Sequence, residues 1–574
     1  LFYMKKGVLY TILGVLAAVV AFIYYYVTLP AINIHSSGFW FFIMAAIVVV
    51  IVLYVIRKAG KDMAGSGTVA LKLSLKEYKP LKWMGILLLL ILAAYIIGSI
   101  LSSPIINAKK YQQLLALENR NFTDDIKEVD YRTIPLLDKD SAALLGDRKM
   151  GSLVDIVSQF EVADDYTQLN YNGVPVRVTP LVYASPVKWL TNQKNGIPAY
   201  IRIDMTTQDT ECVMLEEGIK YSKSEYFNRN LYRHLRFQFP TYIFGDQLFF
   251  EIDDEGVPYW VCPVKKFNIG LFGGVTIGRV VLCNAITGEC TDYDIQDVPQ
   301  WIDKVYSAEM LMQLYDYHGI YQHGFFNSVL GQKDCLVTTN GYNYIALDDD
   351  VWVYTGITSV NGDQSNVGFV LMNQRTMETR FYKVEGATEM SAMSSAEGQV
   401  QNLHYTATFP LLLNISGEPT YFIALKDDAG LVKKYAMVNV QKYQIVAIGD
   451  TVSECEESYT NLMYKNGIKT EAEDTRSVET LTAKITKIAQ GVIDGDSHYY
   501  IMLEGSDEIF DVSVVDFIDI IRFNVGDEVT VEYKKGEQVD TVLSLNGKAS
   551  EQISTKAAKE EQAEDTAGDS AQTE

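Results

Sequence analysis

Three uncharged apolar runs limit the fold of this chain more than any other feature of its sequence. They cover residues 8–27, 39–56 and 83–101. An α-helix rises about 1.5 Å per residue, so about 20 such residues cross the hydrocarbon core of a bilayer. None of the runs has the polar stripe that a helix on the surface of a soluble core carries. We therefore predict three transmembrane helices within residues 1–103, with the lipid bilayer as a partner.

The charges between these runs predict the orientation of the helices. The loop 57–82 contains seven Lys and Arg residues, whereas the loop 28–38 contains none. Positively charged loops stay on the cytoplasmic side of a membrane. We therefore expect a protein of the cell membrane with a cytoplasmic N-terminus, whose residues 104–574 are extracytoplasmic. The first run is not followed by the small-residue cleavage site of a signal peptide.

The rest of the chain is strongly acidic, which excludes one class of function. Residues 1–103 hold nine Lys and Arg against two Asp and Glu, whereas residues 104–574 hold 40 against 70. Contacts to phosphates need a basic surface, so no nucleic-acid partner is expected. The six Cys residues show none of the spacings of a metal site. The sequence predicts no cofactor.

Two parts of the acidic region are repeated. Residues 280–289 align without gaps on residues 369–378, and residues 344–350 resemble residues 422–428. A candidate short helix lies upstream of these hairpins. We predict an α+β fold in which one short helix packs on an antiparallel sheet of three or four strands. This unit recurs about four times as tandem repeats within residues 149–450.

These units resemble PepSY-type modules. The resemblance rests on a strand with paired aromatic residues, an Asp-Asp-x-Gly turn and a second hairpin with Asn-x-x-Thr-Gly-Glu. The best matches are Phe249–Gly256 with Val280–Tyr293, and Tyr421–Gly430 with Met437–Ile448. The whole chain also resembles uncharacterised three-span envelope proteins of Gram-positive bacteria. PepSY modules occur in extracytoplasmic proteins, and some restrain or chaperone secreted peptidases. The resemblance implies that setting and brings no catalytic residues.

Changes in composition divide the remaining chain. Residues 104–148 are predicted to form a polar stalk, and residues 451–479 an acidic linker. Residues 480–547 contain five short strand patterns separated by turns, which is typical of a small OB-like β-barrel. Residues 548–574 contain Ile553 as their one large apolar residue, so we expect a disordered tail.

Two groups of residues are candidate sites, and each has a simpler explanation. Arg229, Arg233 and Arg236 recur at helical spacing. This basic stripe can bind an anionic polymer, lipid headgroups or a partner, or it can pair with the chain's own carboxylates. Cys283 and Cys290 flank a predicted hairpin turn. They either form a disulfide or remain two half-buried thiols.

A third candidate is the acidic run Asp348, Asp349 and Asp350. Its carboxylates are hard ligands that suit calcium, but Asp is also favoured in hairpin turns. Sequence motifs of hydrolases, nucleotide-binding loops and zinc enzymes are missing from the chain. The sequence therefore designates no catalytic residue.

From these observations we predict a non-enzymatic, membrane-anchored extracytoplasmic protein that binds or regulates a component of the cell envelope. Its partner would be another envelope protein or a wall polymer, for example a secreted peptidase or the wall machinery. The alternative is an envelope hydrolase that uses scattered carboxylates between the repeats, because two carboxylates at a defined separation suffice for glycoside hydrolysis. The oligomeric state is left open.

Overall fold

The computed structural model describes residues 6–66, 79–127, 137–347, 349–361, 365–466, 468, 479–493, 496–535 and 539–548. The chain divides into unit one, Leu1–Cys455, and unit two, Glu456–Glu574, and each is described by itself. In the described parts the helices are α1 (Lys6–Thr28), α2 (Ser37–Ser66), α3 (Lys79–Leu101), α4 (Pro104–Gln112), α5 (Phe122–Asp125), α6 (Lys139–Gly151), α7 (Val154–Val157), α8 (Pro186–Asn192), α9 (Leu231–Gln238), α10 (Ala308–Ile320), α11 (Gly324–Phe326), α12 (Glu389–Gln399) and α13 (Val452–Lys465).

The strands of unit one are β1 (Glu118–Arg120), β2 (Phe160–Val162), β3 (Thr167–Tyr171), β4 (Val174–Tyr183), β5 (Ile197–Asp204), β6 (Thr210–Ile219), β7 (Phe249–Ile252), β8 (Pro258–Ile269), β9 (Gly273–Asn284), β10 (Cys290–Asp294), β11 (Leu336–Thr338), β12 (Asn343–Leu347), β13 (Asp350–Ser359), β14 (Ser365–Asn366), β15 (Gly368–Asn373), β16 (Thr379–Tyr382), β17 (Gly386–Ala387), β18 (Thr406–Ala407), β19 (Leu411–Ile415), β20 (Glu418–Lys426), β21 (Val432–Asn439) and β22 (Val446–Gly449). The fold is α+β, as predicted.

These strands form four main sheets and one small two-stranded sheet, β14-β17. Sheet 1 has the order β2-β4-β5-β6, with β3 also paired to β4, and sheet 2 has the order β10-β9-β8-β7. Sheet 3 has the order β1-β16-β15-β13-β11, with β12 also paired to β13. Sheet 4 has the order β18-β20-β21-β22, with β19 also paired to β20. A helix precedes the principal strands of each sheet, namely α6, α9, α10 and α12.

The four sheets share three hydrophobic cores, because successive residues of a strand face opposite sides of the sheet. On β9, Val281 and Cys283 belong to a core that also contains residues of sheet 1. Val280 and Leu282 belong to a second core, with residues of sheet 3. The third core contains residues of sheets 3 and 4. A strand segment that is buried on both faces has a continuous apolar sequence, as residues 280–283 of β9 do.

One hairpin turn is repeated once in each sheet. A side-chain oxygen accepts hydrogen bonds of 2.8–3.0 Å from the backbone amides two and three residues later, in turns that begin at Asp204, Asn284, Asn373 and Asn439. Asp and Asn favour such turns because the side chain replaces a backbone acceptor. These turns fix which residues of the two flanking strands face each other.

Three of the helices that precede the sheets begin at a capping side chain. Asp138, Ser307 and Thr388 each accept a hydrogen bond from the backbone amide three residues later, at 2.9–3.2 Å. A capped first turn satisfies a backbone donor that has no partner within the helix. The start of α6, α10 and α12 is therefore determined by local sequence.

The structure describes two helical segments long and apolar enough to cross a membrane, Ser37–Val55 and Lys79–Leu101. They correspond to the second and third predicted spans. The first predicted span, residues 8–27, falls in α1, and the side chains of most of its first half lie outside the described residues. Residues 67–78 of the basic loop also lie outside the described part.

The segment predicted as a stalk, residues 104–148, differs from the prediction where it is described. Strand β1 pairs in parallel with β16 at the edge of sheet 3. Phe122 and Ile126 belong to the core that sheets 3 and 4 share. These apolar side chains gain more from burial than an exposed stalk would allow. Residues 128–136 lie outside the described part, and Lys139–Gly151 forms α6.

The predicted acidic linker also contains regular structure, because Val452–Lys465 forms α13. Cys455, Tyr459 and Met463 are fully buried on this helix. Their spacing of four residues places them on one face. Residues 469–478 of the predicted linker lie outside the described residues.

Unit two contains a closed five-stranded barrel. Its strands are β23 (Glu479–Ile493), β24 (Asp496–Leu503), β25 (Phe510–Ser513), β26 (Glu528–Lys534) and β27 (Asp540–Lys548), in the order β23-β24-β25-β27-β26. The pair β25 and β27 is parallel, and the other pairs are antiparallel. Of the predicted disordered tail, residues 548–574, Lys548 is the last residue of β27, and residues 549–574 lie outside the described residues.

Candidate functional site

A polar cavity of about 840 Å³ lies within unit one, and each of the four main sheets contributes to its wall. This volume is in the range of sites for small molecules. Thr167 and Gln168 of β3, Phe249 of β7 and Tyr344 of β12 line it together with β18 and with Lys426 of β20. The start of α6 lines it too. The cavity therefore exists only because the four repeated units are assembled.

Ten charged side chains line this cavity, and the two signs are balanced. The cations are Lys139, Arg177, Lys223, Lys304 and Lys426, and the anions are Asp138, Asp140, Asp165, Asp246 and Glu309. Several of them neutralise one another. Lys426 forms an ion pair with Asp138, and Lys223 forms one with Asp165 at 2.8 Å. The remaining charges determine what the cavity can bind.

Arg177 is the most deeply buried of these cations, with 5% of its surface exposed. Its Nε donates to the Leu137 carbonyl oxygen and its Nη2 donates to Gln168 Oε1, both at 3.3 Å. Neither acceptor is charged, and no carboxylate among the described residues lies within ion-pair distance of the guanidinium. Burial lowers the pKa of Arg177, against the attraction of nearby acidic groups that include Asp138 and Asp140. A guanidinium has five N–H donors, so most of them are left for another acceptor.

Lys304 is a second cation without an anionic contact among the described residues. Its Nζ lies over the rings of Phe249 and Tyr344, 4.8 and 5.4 Å from their centroids. Burial lowers the pKa of this ammonium to about 8, and the nearby Arg177 also favours its neutral form. Such aromatic contacts stabilise a cation by a fraction of what a carboxylate provides.

Two buried carboxylates hold the backbone that carries Lys304. Glu251 accepts hydrogen bonds from the backbone amides of Asp303 and Lys304, each at 3.0 Å. Asp303 accepts one from the backbone amide of Asn170 at 2.6 Å. Burial raises the pKa of Glu251 well above its usual range and raises that of Asp303 to about 8. Both carboxylates lie outside the cavity wall, so they position Lys304 rather than face a ligand.

Two neutral groups of the wall are also incompletely bonded. Tyr166 Oη and Gln168 Nε2 are buried and have no hydrogen-bond partner among the described residues. A buried donor without a partner costs about 1–3 kcal/mol. Gln168 lines the same cavity as Arg177 and Lys304, whereas the Tyr166 hydroxyl packs against Gly146 of α6. Arg177, Lys304 and Gln168 together fit a ligand that carries negative charge and several acceptor oxygens.

The structure places the predicted basic stripe elsewhere. Arg233 and Arg236 lie on α9, and Arg229 lies in the short turn that precedes this helix. All three bind carbonyl oxygens of the same chain: Arg229 that of Gln193, Arg233 that of Tyr26 at 3.4 Å, and Arg236 those of Leu29 at 2.9 Å and Tyr242 at 2.6 Å. None of the three lines the cavity.

The acidic run lies at the hairpin between β12 and β13, and Asp348 is outside the described residues. Asp349 has a φ of 66° and accepts a hydrogen bond from Asn170 Nδ2 at 2.6 Å. Asp350 forms an ion pair with Arg375 at 2.7 Å. The two described carboxylates thus bind separate donors. Cys283 and Cys290, the remaining candidate site, face each other on β9 and β10, and both are free thiols in the structure.

The residues of the cavity carried no signal in the sequence. Arg177, Lys304 and Gln168 lie in ordinary strand and loop sequence, and Arg177 and Lys304 are 127 positions apart in the chain. The sequence of β4 contains one charged residue, Arg177, among mostly apolar residues. That contrast was the one available hint, since a buried cation requires a reason.

Comparisons with known proteins show no family for this chain. No family model matches the chain. Among curated proteins no match was found. Among solved structures, the crystal structure of the polysaccharide lyase Uly1 aligns with 68% of this chain and 81% of its own length, at 10% identity and a TM-score of 0.14. A similarity at that level carries no argument about fold or function.

Proposed function

We propose that this chain is a membrane-anchored binding protein of the cell envelope that takes a small anionic ligand into the cavity of unit one. One observation carries the proposal: Arg177, which is buried, and Lys304, which is half-buried, line one cavity, and no carboxylate among the described residues forms an ion pair with either. Burying an unpaired cation destabilises a fold, so a protein that retains two has a use for them. Ligand binding would then regulate a partner, such as a secreted peptidase or the wall machinery.

The extracytoplasmic location of unit one is part of this proposal, and contacts near the helix ends support it. The loop between α1 and α2 contacts the sheets, since the Ile32 amide donates to the Pro240 carbonyl oxygen at 2.8 Å and His35 bonds the Leu271 carbonyl at 2.7 Å. Ser102, after α3, accepts a hydrogen bond from the Leu271 amide at 2.8 Å. The sheets therefore lie near the end of α1, the start of α2 and the end of α3. The loop 57–82 joins the other ends of α2 and α3 in the sequence, and the positive-inside rule keeps this loop in the cytoplasm.

The finer assignments of the modules belong to the same proposal. Four helix-and-sheet units that share one recurring type of turn favour tandem PepSY-like modules for residues 149–450. For the barrel, the strand order 1-2-3-5-4 with parallel strands 3 and 5 favours an OB-like fold. The OB-like barrel would supply a second binding surface.

A binding role fits the cavity better than hydrolysis does. A carboxylate that acts as a general acid needs a raised pKa and access to the substrate. In the cavity wall, the carboxylates whose pKa is shifted are Asp138 and Glu309, and both are shifted downwards, although burial opposes this. The hydrogen bonds from Lys426 and Ser141 to Asp138, and from Tyr342 to Glu309, stabilise the ionised forms. The carboxylates with raised pKa, Glu251 and Asp303, lie outside the wall.

Thermal unfolding of the full chain in detergent tests the proposal. Citrate, glucuronate and inorganic phosphate are the probes, and glucose is the uncharged control. A ligand that binds only the folded state stabilises it by about 2.7 kcal/mol at a hundred times its dissociation constant. We expect at least one anion to raise the Tm of the wild type and glucose to leave it unchanged.

The variants Arg177→Met and Lys304→Met should lose this shift. Lys383→Met is the matched control, because the side chain of Lys383 is 77% exposed and lies outside the cavity. An anion-induced shift of equal size in all three variants would refute the cavity as the binding site. Loss of the shift in Lys383→Met alone would do the same.

A further inference from the structure

The β9–β10 hairpin brings two thiols together. Cys283 and Cys290 are direct neighbours across the two strands. The Asn284 amide donates to the Glu289 carbonyl oxygen at 2.9 Å, so the next pair along the ladder, Cys283 and Cys290, is of the non-hydrogen-bonded type. In such a pair the Cα atoms are about 4.5 Å apart. That separation lies within the range of about 4.4–6.8 Å that a disulfide spans.

A histidine completes the cluster. His234 of α9 lies beside both thiols, and its nearest ring nitrogen and the two sulfur atoms are all within 4.8 Å of one another. Its Nε2 lies 2.7 Å from the Gly288 carbonyl oxygen and 2.9 Å from the side-chain amide of Gln238. The imidazole therefore lies within reach of both thiols and can exchange a proton with them.

The ring of His234 is held from a second side. The Tyr221 ring packs on the imidazole with centroids 4.4 Å apart. The turn of the hairpin packs on the same tyrosine, because a Cβ at Gly288 would lie 2.4 Å from the ring. Gly288 also has a φ of 78°, which favours glycine. These contacts fix the imidazole against the thiols.

The two thiols differ in access and in charge. Cys283 is completely buried, whereas Cys290 is half-buried. The hydrogen bond from Cys283 lowers the pKa of Cys290 to about 6, against the effect of burial and with help from His234. The same hydrogen bond and burial raise the pKa of Cys283. Hydrogen bonds to Cys290 and Gly288 raise the pKa of His234, although burial works in the opposite direction. These effects favour the thiolate form of the accessible Cys290 and the thiol form of the buried Cys283.

We propose that Cys290, Cys283 and His234 form a thiol–disulfide exchange site, with Cys290 as the attacking and Cys283 as the resolving residue. The co-reactant is an external disulfide, from a small molecule or a protein. This inference is independent of the ligand proposed for the cavity, since none of the three residues lines it.

The exchange has two steps. The Cys290 thiolate attacks one sulfur of the external disulfide, a mixed disulfide forms, and the first external sulfur leaves as a thiolate that takes the proton of His234. Cys283 then gives its proton to His234 and attacks Sγ of Cys290, which releases the second external sulfur. That thiolate takes the same proton. The protein loses two electrons and gains a Cys283–Cys290 disulfide, and the external disulfide becomes two thiols.

Oxidised glutathione is the probe for the full chain in detergent, with mass spectrometry after alkylation as the readout. In the wild type we expect an intramolecular Cys283–Cys290 disulfide. In Cys283→Ser the mixed disulfide with glutathione should accumulate at Cys290. In Cys290→Ser no adduct should form at Cys283, because that thiol is buried and protonated. Adducts of equal amount in both variants would overturn the assigned order of attack.

His234→Gln tests the positioning role of the histidine. We expect the alkylation rate of Cys290 at pH 6.5 to fall about three-fold or more and its pH midpoint to move upwards, because a thiolate loses a cationic neighbour. Cys212, a half-buried thiol on β6, is the internal control and should react equally in both proteins. An unchanged pH midpoint of Cys290 would remove His234 from the site. If the thiols resist alkylation and a chelator restores their reactivity, the cluster is a metal site and the proposal is overturned.

Discussion

Arg236 binds the carbonyl oxygen of Leu29 through its Nε at 2.9 Å. Leu29 immediately follows α1, where backbone carbonyls have no partner within the helix. The residue has a φ of 46°, so the chain turns sharply at this point. A cation is favoured at such a helix end because the helix dipole is negative there. The basic stripe of the sequence therefore ties the first apolar helix to the sheets.

Substitution of Arg236 should loosen this junction. In Arg236→Ala, the carbonyl oxygens of Leu29 and Tyr242 lose a charged donor, which costs about 1–3 kcal/mol. We expect faster proteolysis at residues 29–36 and a lower Tm. Arg233→Ala is the matched control on the same helix, since its bond to the Tyr26 carbonyl is 3.4 Å long. Equal effects of the two substitutions would contradict the assigned role of Arg236.

Lys304→Met should stabilise unit one in a pH-dependent way. The pKa of Lys304 is about 8 in the folded state, against 10.5 for an ordinary lysine. Between pH 8 and 10.5 the unfolded chain binds more protons, so the contribution of this lysine to stability rises with pH. The variant should exceed the wild type by about 1–2 kcal/mol below pH 8 and lose this advantage towards pH 10.5. Denaturant titrations at several pH values measure the difference in the free energy of unfolding between variant and wild type. A difference that does not change with pH would refute the lowered pKa of Lys304.

Asp303→Asn should change the free energy of unfolding with the opposite dependence on pH, and at lower pH, than Lys304→Met. Burial raises the pKa of Asp303 to about 8 from 3.8, so the folded state binds more protons between these values. The stability of the wild type therefore falls as the pH rises from 4 to 8. The asparagine retains an acceptor for the Asn170 amide, so the variant should gain on the wild type over this range, by on the order of 1–3 kcal/mol. Asp254→Asn, at an exposed turn position, should give a flat difference.

Gln208→Gly should stabilise the β5–β6 hairpin. Gln208 has a φ of 63° at the position that Gly288 occupies in the β9–β10 hairpin. A side chain in this conformation costs about 1 kcal/mol, part of which the greater freedom of an unfolded glycine cancels. We expect a gain of about 0.5 kcal/mol, measured by hydrogen exchange of the hairpin amides. Thr207→Gly should destabilise the hairpin, because the Thr207 hydroxyl accepts a hydrogen bond from the Asp209 amide.

Short-range features of the fold could be predicted from the sequence. The repeated turn at Asn284 and Asn373 depends on residues within the turn itself. These residues are identical in the alignment of residues 280–289 with residues 369–378 at the asparagine, threonine and glutamate positions. The strands of the barrel and the apolar runs follow from local periodicity. The prediction of a stalk differed from the structure because Phe122 and Ile126 lie in a polar segment of the sequence. Nothing in their local sequence shows that sheets 3 and 4 bury them.

The sequence by itself determined the apolar helices, the repeated turns and the class of the fold, because each depends on residues close together in the chain. Only the tertiary structure decided which charges are paired. Lys426 has a partner in Asp138, whereas Arg177 has an uncharged acceptor in Gln168. Electrostatic interactions depend on distance in space and on burial, and both are set when the four sheets assemble. The candidate site is therefore a property of the assembled sheets.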